Sequence, residues 1–134
     1  MTIDELYQRP YWIIDILPMQ VPKNSPGQYF AIEKYWLHEP HLSNIKQKHI
    51  NVVLKLNCYR DISFDDESEV NPAPDLIEET IRNKSVNIRV GDAVILSEPD
   101  DTHMTLFNPD QDLRILIKAI AESEGLCFWQ PGRE

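Results

Sequence analysis

Glycine is scarce in this chain, with four in 134 residues, and no G-x-x-x-x-G-K-[ST], G-x-G-x-x-G or G-x-S-x-G is present. Loops that cradle phosphates and the nucleophile elbow of the α/β-hydrolases therefore have no support. Cysteine is almost as rare. Cys58 and Cys127 are far apart and each falls in a segment that reads as strand, where a thiol behaves as a small apolar side chain. No disulfide framework is implied, and neither cysteine reads as an activated nucleophile. Apolar runs are short, well below the roughly 18 to 20 residues a membrane span needs. The N-terminal MTIDELYQRP carries acids and lacks a basic stretch followed by an apolar one, so the expectation is a cytoplasmic protein that does not enter membranes.

Positive charge is also in deficit. Thirteen Lys and Arg face twenty-two Asp and Glu, a net charge of −9. Residues 1–50 are balanced, with five of each sign, and residues 51–134 hold eight basic and seventeen acidic side chains. Such a surface repels phosphate backbones and anionic lipid, and the densest basic cluster, Lys46, Lys48 and His49, is too small to support nucleic-acid binding.

What the chain does have is pattern. Residues 11–17, YWIIDIL, are aromatic and β-branched up to Pro18 and read as a strand. Ser25-Pro26-Gly27-Gln28 has the form of a capping box, predicting a helix that carries Tyr29, Phe30, Ile32, Tyr35, Trp36 and Leu37 as a mostly buried face and ends before Pro40. Leu42 and Ile45 fit a short helix or an irregular link. Residues 50–59, INVVLKLNCY, alternate from Val53 onward and read as a strand. An acidic, proline-containing loop follows, with a small strand at 62–64, and Pro74-Asp75 opens a helix to about Asn83. SVNIRV and AVILS flank Gly91-Asp92, the signature of an antiparallel two-residue hairpin. THMTLF is the next strand. Asn108-Pro109-Asp110-Gln111 then starts a helix with Asn108 as its cap, Gly125 ends it, and residues 126–129 form a last strand. The expected fold is α+β: a single domain over 1–134, with a mixed, mainly antiparallel sheet of five or six strands and three or four helices packed on it.

No motif names an activity, so candidate sites rest on placement. Asp110 and Asp112 are accounted for by helix initiation, and Pro99, Asp100 and Asp101 by a type I turn. His38 and His41 have zinc-like spacing, but Pro40 interrupts the helix between them, and the acidic loop lacks the glycine and spacing of an EF-hand. No metal or cofactor is expected. Asp15, held between Ile14 and Ile16, and His103, two residues from Asp101 on an extended segment, are candidate pocket residues together with Tyr29 and Trp36. The acids Asp65, Asp66, Glu67, Asp100 and Asp101 are the candidate partner-binding surface. The resulting expectation is a small non-enzymatic protein-binding protein, of immunity or inhibitor kind, whose acidic C-terminal part meets a basic protein. The alternative is a small-ligand binder or an unmarked enzyme with its pocket near Asp15 and His103.

Overall fold

The β-hairpin at Gly91-Asp92 organises the middle of the sheet. β3 (Val86–Val90) and β4 (Ala93–Ser97) pair antiparallel from Val86↔Ser97 to Val90↔Ala93. Gly91 sits at φ +59°, the left-handed conformation that the first residue of a tight hairpin requires and that a Cβ disfavours. The computed structural model describes residues 2–64 and 69–132. Around the hairpin are β1 (Tyr11–Asp15), β2 (Ser63–Phe64), β5 (Met104–Phe107) and β6 (Cys127–Trp129), in the sheet order β2-β3-β4-β5-β1-β6. Every ladder is antiparallel. Because β1 runs antiparallel to both of its neighbours, β5 and β6 point the same way. The helix between them therefore forms a crossover that spans β1.

The helices are α1 (Ile3–Leu6), α2 (Tyr29–Leu37), α3 (His41–Asn57), α4 (Pro74–Asn83) and α5 (Gln111–Ser123). α1 is a single turn closed by a Thr2–Glu5 capping box. The pattern T-x-x-E was there to be read at the N-terminus and predicts this turn.

One face of the sheet and three helices make the core. Cross-strand registry lines up Val86, Ser97, Met104 and Ile14, and beside them Ile88, Ile95, Leu106 and Trp12. Against this face pack Ile50, Val53 and Leu56 of α3, Ile77 and Ile81 of α4, and Leu113, Ile117 and Ile120 of α5. Each such aliphatic side chain gains about 1.5–3 kcal/mol on burial. Arg114 closes one margin by lying over the Trp12 ring, 4.9 Å from its centroid. The other face carries Tyr11, Ile13, Asp15, Thr105 and Phe107 and is covered in part by the N-terminal segment. Tyr7 stacks on Phe107 at 4.7 Å and donates its hydroxyl to Asn87.

Five local expectations are overturned. Residues 50–57 are not a strand but the second half of the 17-residue α3. Its buried positions, Ile45, Lys46, His49, Ile50, Val52, Val53 and Leu56, recur with helical spacing. The β-branched residues and the alternation after Val53 are local signals overridden by that longer period. Cys58 is consequently an exposed residue at the end of α3, while Cys127 does lie in β6. Ser25 caps no helix: its Oγ accepts from the Gly27 N–H at 3.3 Å in a local turn, and α2 begins later, at Tyr29. Asn108 is not the cap of α5. It adopts φ +58° and donates to the Asp92 carbonyl, while Asp110 Oδ1 accepts from the Leu113 N–H at 2.8 Å. Lastly, α2 has no buried residue at all.

Candidate functional site

Where β1 ends and β5 begins, the sheet leaves a cleft. Asp15 terminates β1, the connector 16–28 crosses over, α2 forms one wall, and the turn 98–103 leading into β5 forms the other. Two lobes share Asp15, Leu17, Val21, Tyr29 and His103. The first, about 410 Å³, runs under the connector to Phe30, Lys23 and Trp129. The second, about 330 Å³, lies between α2 and the turn, and Glu33, Trp36, Asp101 and Thr102 complete it. All four candidate pocket residues, Asp15, Tyr29, Trp36 and His103, line this second lobe.

Helical periodicity explains the α2 wall. Tyr29, Ile32, Glu33 and Trp36 fall at i, i+3, i+4 and i+7, one stripe directed into the lobe. Tyr29 donates its hydroxyl to Glu33 at 3.0 Å. Burial, and then that carboxylate, push the Tyr29 phenol above its usual pKa. Phe30 and Tyr35 stand largely clear of the protein, 79% and 53% exposed.

Carboxylates give the lobe its character. Asp15 is half-buried, and burial holds its pKa above the ordinary carboxylate range despite a 2.7 Å hydrogen bond from the Ile16 N–H and the nearby His103. Asp101 is raised for the same first reason, burial, with His103 pulling the other way and Asp100 and Glu98 adding to the rise. Among the described residues neither Asp15, Asp101 nor Glu33 forms an ion pair. Among the described residues no Lys or Arg lines the second lobe. Desolvated carboxylates without a cation are costly, and such groups cluster where ligands bind.

Behind the turn 98–103 lies a buried polar layer. Lys46 is 3% exposed and donates to the Glu98 carbonyl at 2.7 Å and to Ser97 Oγ at 3.4 Å. Desolvation lowers its pKa to about 8, although Asp101, Asp100 and Glu98 oppose the shift. His49 is fully buried, and among the described residues neither ring nitrogen has a hydrogen-bond partner of good geometry, the Thr102 backbone being near but not aligned. Burial, reinforced by the Lys46 charge, lowers its pKa to about 3, with the Thr102 backbone pulling weakly the other way. Of the basic residues Lys46, Lys48 and His49 singled out in the sequence, Lys46 and His49 are buried beneath the cleft wall and form no surface patch.

The remaining candidates are dispersed. Asp100 is exposed at the rim of the turn, beside the half-buried Asp101. Asp65, Asp66 and Glu67 lie outside the described residues, although the base of their loop is pinned by Asn71, which accepts from the Ile62 N–H and donates to Asp61. His41 stacks on Tyr35 at 4.1 Å, and His38 follows α2 as an exposed cap. Among the described residues no group of three or more His, Cys, Asp or Glu has the geometry to hold a metal ion. Likewise no described helix is long and apolar enough to cross a membrane.

Sequence reasoning missed Glu33. Its signal was an acid one turn from Tyr29 on a helix otherwise rich in aromatic and aliphatic residues.

Compared with known proteins, the chain matches no family model, no curated protein and no solved structure.

Proposed function

We propose that this is a non-enzymatic protein-binding module of the cytoplasm, inhibitor- or immunity-like in kind, which receives a basic partner on α2 and the acidic cleft beside it. The single observation that carries the reading is α2 itself. Tyr29, Phe30, Ile32, Tyr35 and Leu37 are all exposed on one nine-residue helix. Large apolar side chains gathered on a surface mark binding sites, and Tyr, Trp and Phe are the usual anchors of protein interfaces. The net charge of −9 supplies the complement: a basic partner is steered toward such a surface, with an on-rate that falls as salt rises.

In this reading Asp100 and Asp101, expected to meet a partner, form an acidic rim of the surface. The loop acids Asp65, Asp66 and Glu67 belong to the same reading as a second point of attraction. The test is affinity capture from cells of the source organism at low and high salt, using the natural chain, Phe30→Ser and Asp100→Lys. A basic protein recovered at low salt, diminished by Asp100→Lys and lost with Phe30→Ser supports the reading. Equal recovery with all three proteins contradicts it.

A second reading, a small-ligand or enzymatic pocket at Asp15 and His103, draws its support from the size of the second lobe. Its volume of about 330 Å³ is at the lower end of ligand pockets, roughly 300–1,000 Å³.

A further inference from the structure

The second lobe combines three features that one ligand chemistry satisfies together. Among the described residues its acids form no ion pair, its α2 wall carries Tyr29 and Trp36, and it opens beside an uncovered apolar surface. We propose that this lobe receives the guanidinium of a single arginine side chain presented by a protein docked on α2. The inference rests on the partner-binding reading and narrows it to one side chain in one cavity.

The first argument is charge. Several carboxylates elsewhere have partners: Glu124 meets Lys55 at 2.6 Å, Glu122 meets Lys118 at 2.6 Å, and Glu39 accepts from the Ser43 backbone and hydroxyl at 2.9 and 2.8 Å. Among the described residues Asp15 is met by backbone N–H groups, those of Ile16 and Leu17, Glu33 by the Tyr29 hydroxyl, and Asp101 by no side-chain donor; none of the three pairs with a lysine or arginine. Lys46, the nearest lysine behind the turn, is already engaged by the Glu98 carbonyl. A cation entering the lobe would therefore meet three carboxylates that no described lysine or arginine pairs with, beside a single His103.

The second argument is shape. Tyr29 and Trp36 are seven residues apart on α2 and both line the lobe, with Glu33 between them and Asp15 and Asp101 contributed by other elements, so a planar cation there has aromatic rings and carboxylates within one cavity. Guanidinium suits this better than ammonium. It is flat, weakly hydrated, and able to bond carboxylates through a fork while lying against an aromatic ring.

The third argument selects a protein-borne arginine over a free small cation. Phe30 and Tyr35 lie outside the second lobe and remain exposed. A free amine would fill the cavity and leave them uncovered, whereas a docked chain covers them while its arginine is seated.

The test is an NMR titration of the ¹⁵N-labelled full chain with N-acetyl-arginine-methylamide, run beside the neutral citrulline analogue and spermidine. The expected result is progressive shifts at the amides of Asp15, Glu33 and residues 101–103 and at the Trp36 indole. The citrulline analogue should bind about tenfold or more weakly. Asp15→Asn, which keeps the oxygen that accepts from Ile16, and Asp101→Asn should each weaken arginine by a similar factor while leaving the rest of the spectrum in place. Equal binding of citrulline overturns the proposal, as does absence of cleft shifts up to the solubility of the arginine probe. Tighter binding of spermidine than of arginine overturns it too and reassigns the lobe to a free polyamine. If the arginine probe fails while salt-sensitive capture is still lost with Phe30→Ser, the subsite is wrong and the docking surface stands.

Discussion

Lys46, His49 and Asp15 are each held in the fold against their own electrostatic preference, and each therefore sets a measurable pH dependence. His49 binds a proton near pH 6.5 when unfolded and only near pH 3 when folded. Between those values the unfolded state holds more protons, so stability falls as pH drops from about 6.5 toward 3, by up to about 1.4 kcal/mol per pH unit. Chemical denaturation of His49→Leu across that window should show a visibly shallower loss than the natural chain. An identical slope would mean that His49 is not buried neutral. For Lys46 the folded value of about 8 lies below the ordinary 10.5, so the same sign applies at higher pH: stability gains as pH rises from about 8 to 10.5. Asp15 runs the other way, because its raised folded pKa means that ionisation favours unfolding. Asp15→Asn should therefore match or exceed the natural chain's stability at pH 7, in melting experiments, while losing binding at the cleft. Lower stability of that variant would make Asp15 a structural residue.

At the scale of elements, α2 and α3 depart furthest from the sequence reading: the helix expected to be core is exposed, and the expected strand is half of a buried helix. The aromatic density of α2 reads as core, yet core membership depends on whether another layer covers the helix, and one helix's own period cannot report that. Phe30→Ser should consequently leave the melting temperature within about 2 °C of the natural value, since exposed sites usually contribute under about 0.5 kcal/mol. A large drop would place Phe30 in a packed environment. In α3 the reverse holds: Leu56 is fully buried, and Leu56→Ala should cost about 2–5 kcal/mol in denaturation experiments. The misreading of residues 50–57 has a physical cause. Ile50, Val52 and Val53 favour strands locally, and the decisive evidence, the helical spacing from Ile45 to Leu56, appears only when the window extends N-terminal of Ile50. By contrast the Gly91-Asp92 hairpin and the Pro74 helix were legible, because turn chemistry and a proline at a first helical position are local constraints that tertiary packing rarely reverses. Gly91→Ala should cost about 1 kcal/mol through its φ of +59°, although open space surrounds the added methyl.

For the whole molecule, the α+β class follows from the element types, whereas the strand inventory, in which the sequence reading included residues 50–59, and the order β2-β3-β4-β5-β1-β6 do not. Placing β1 between β5 and β6 joins residues from opposite ends of the chain. That placement brings Asp15 near His103 and sets Trp129 across from Ile13. Asp15 and His103 could be singled out by an acid among isoleucines and a histidine beside acids. Their meeting with Glu33 and Asp101 in one cavity is a property of the topology. The same topology leaves Ile115 of α5, 60% exposed, as an apolar side chain on a different helix from α2, which makes it a natural control. The most direct test of the account places a photo-crosslinking amino acid at position 30 or at position 115 and irradiates living cells. A basic protein joined at 30, absent at 115 and suppressed by Asp15→Asn is the predicted result. Equal crosslinking at both positions, or none at 30, would contradict the claim that α2 and its acidic cleft are the binding surface.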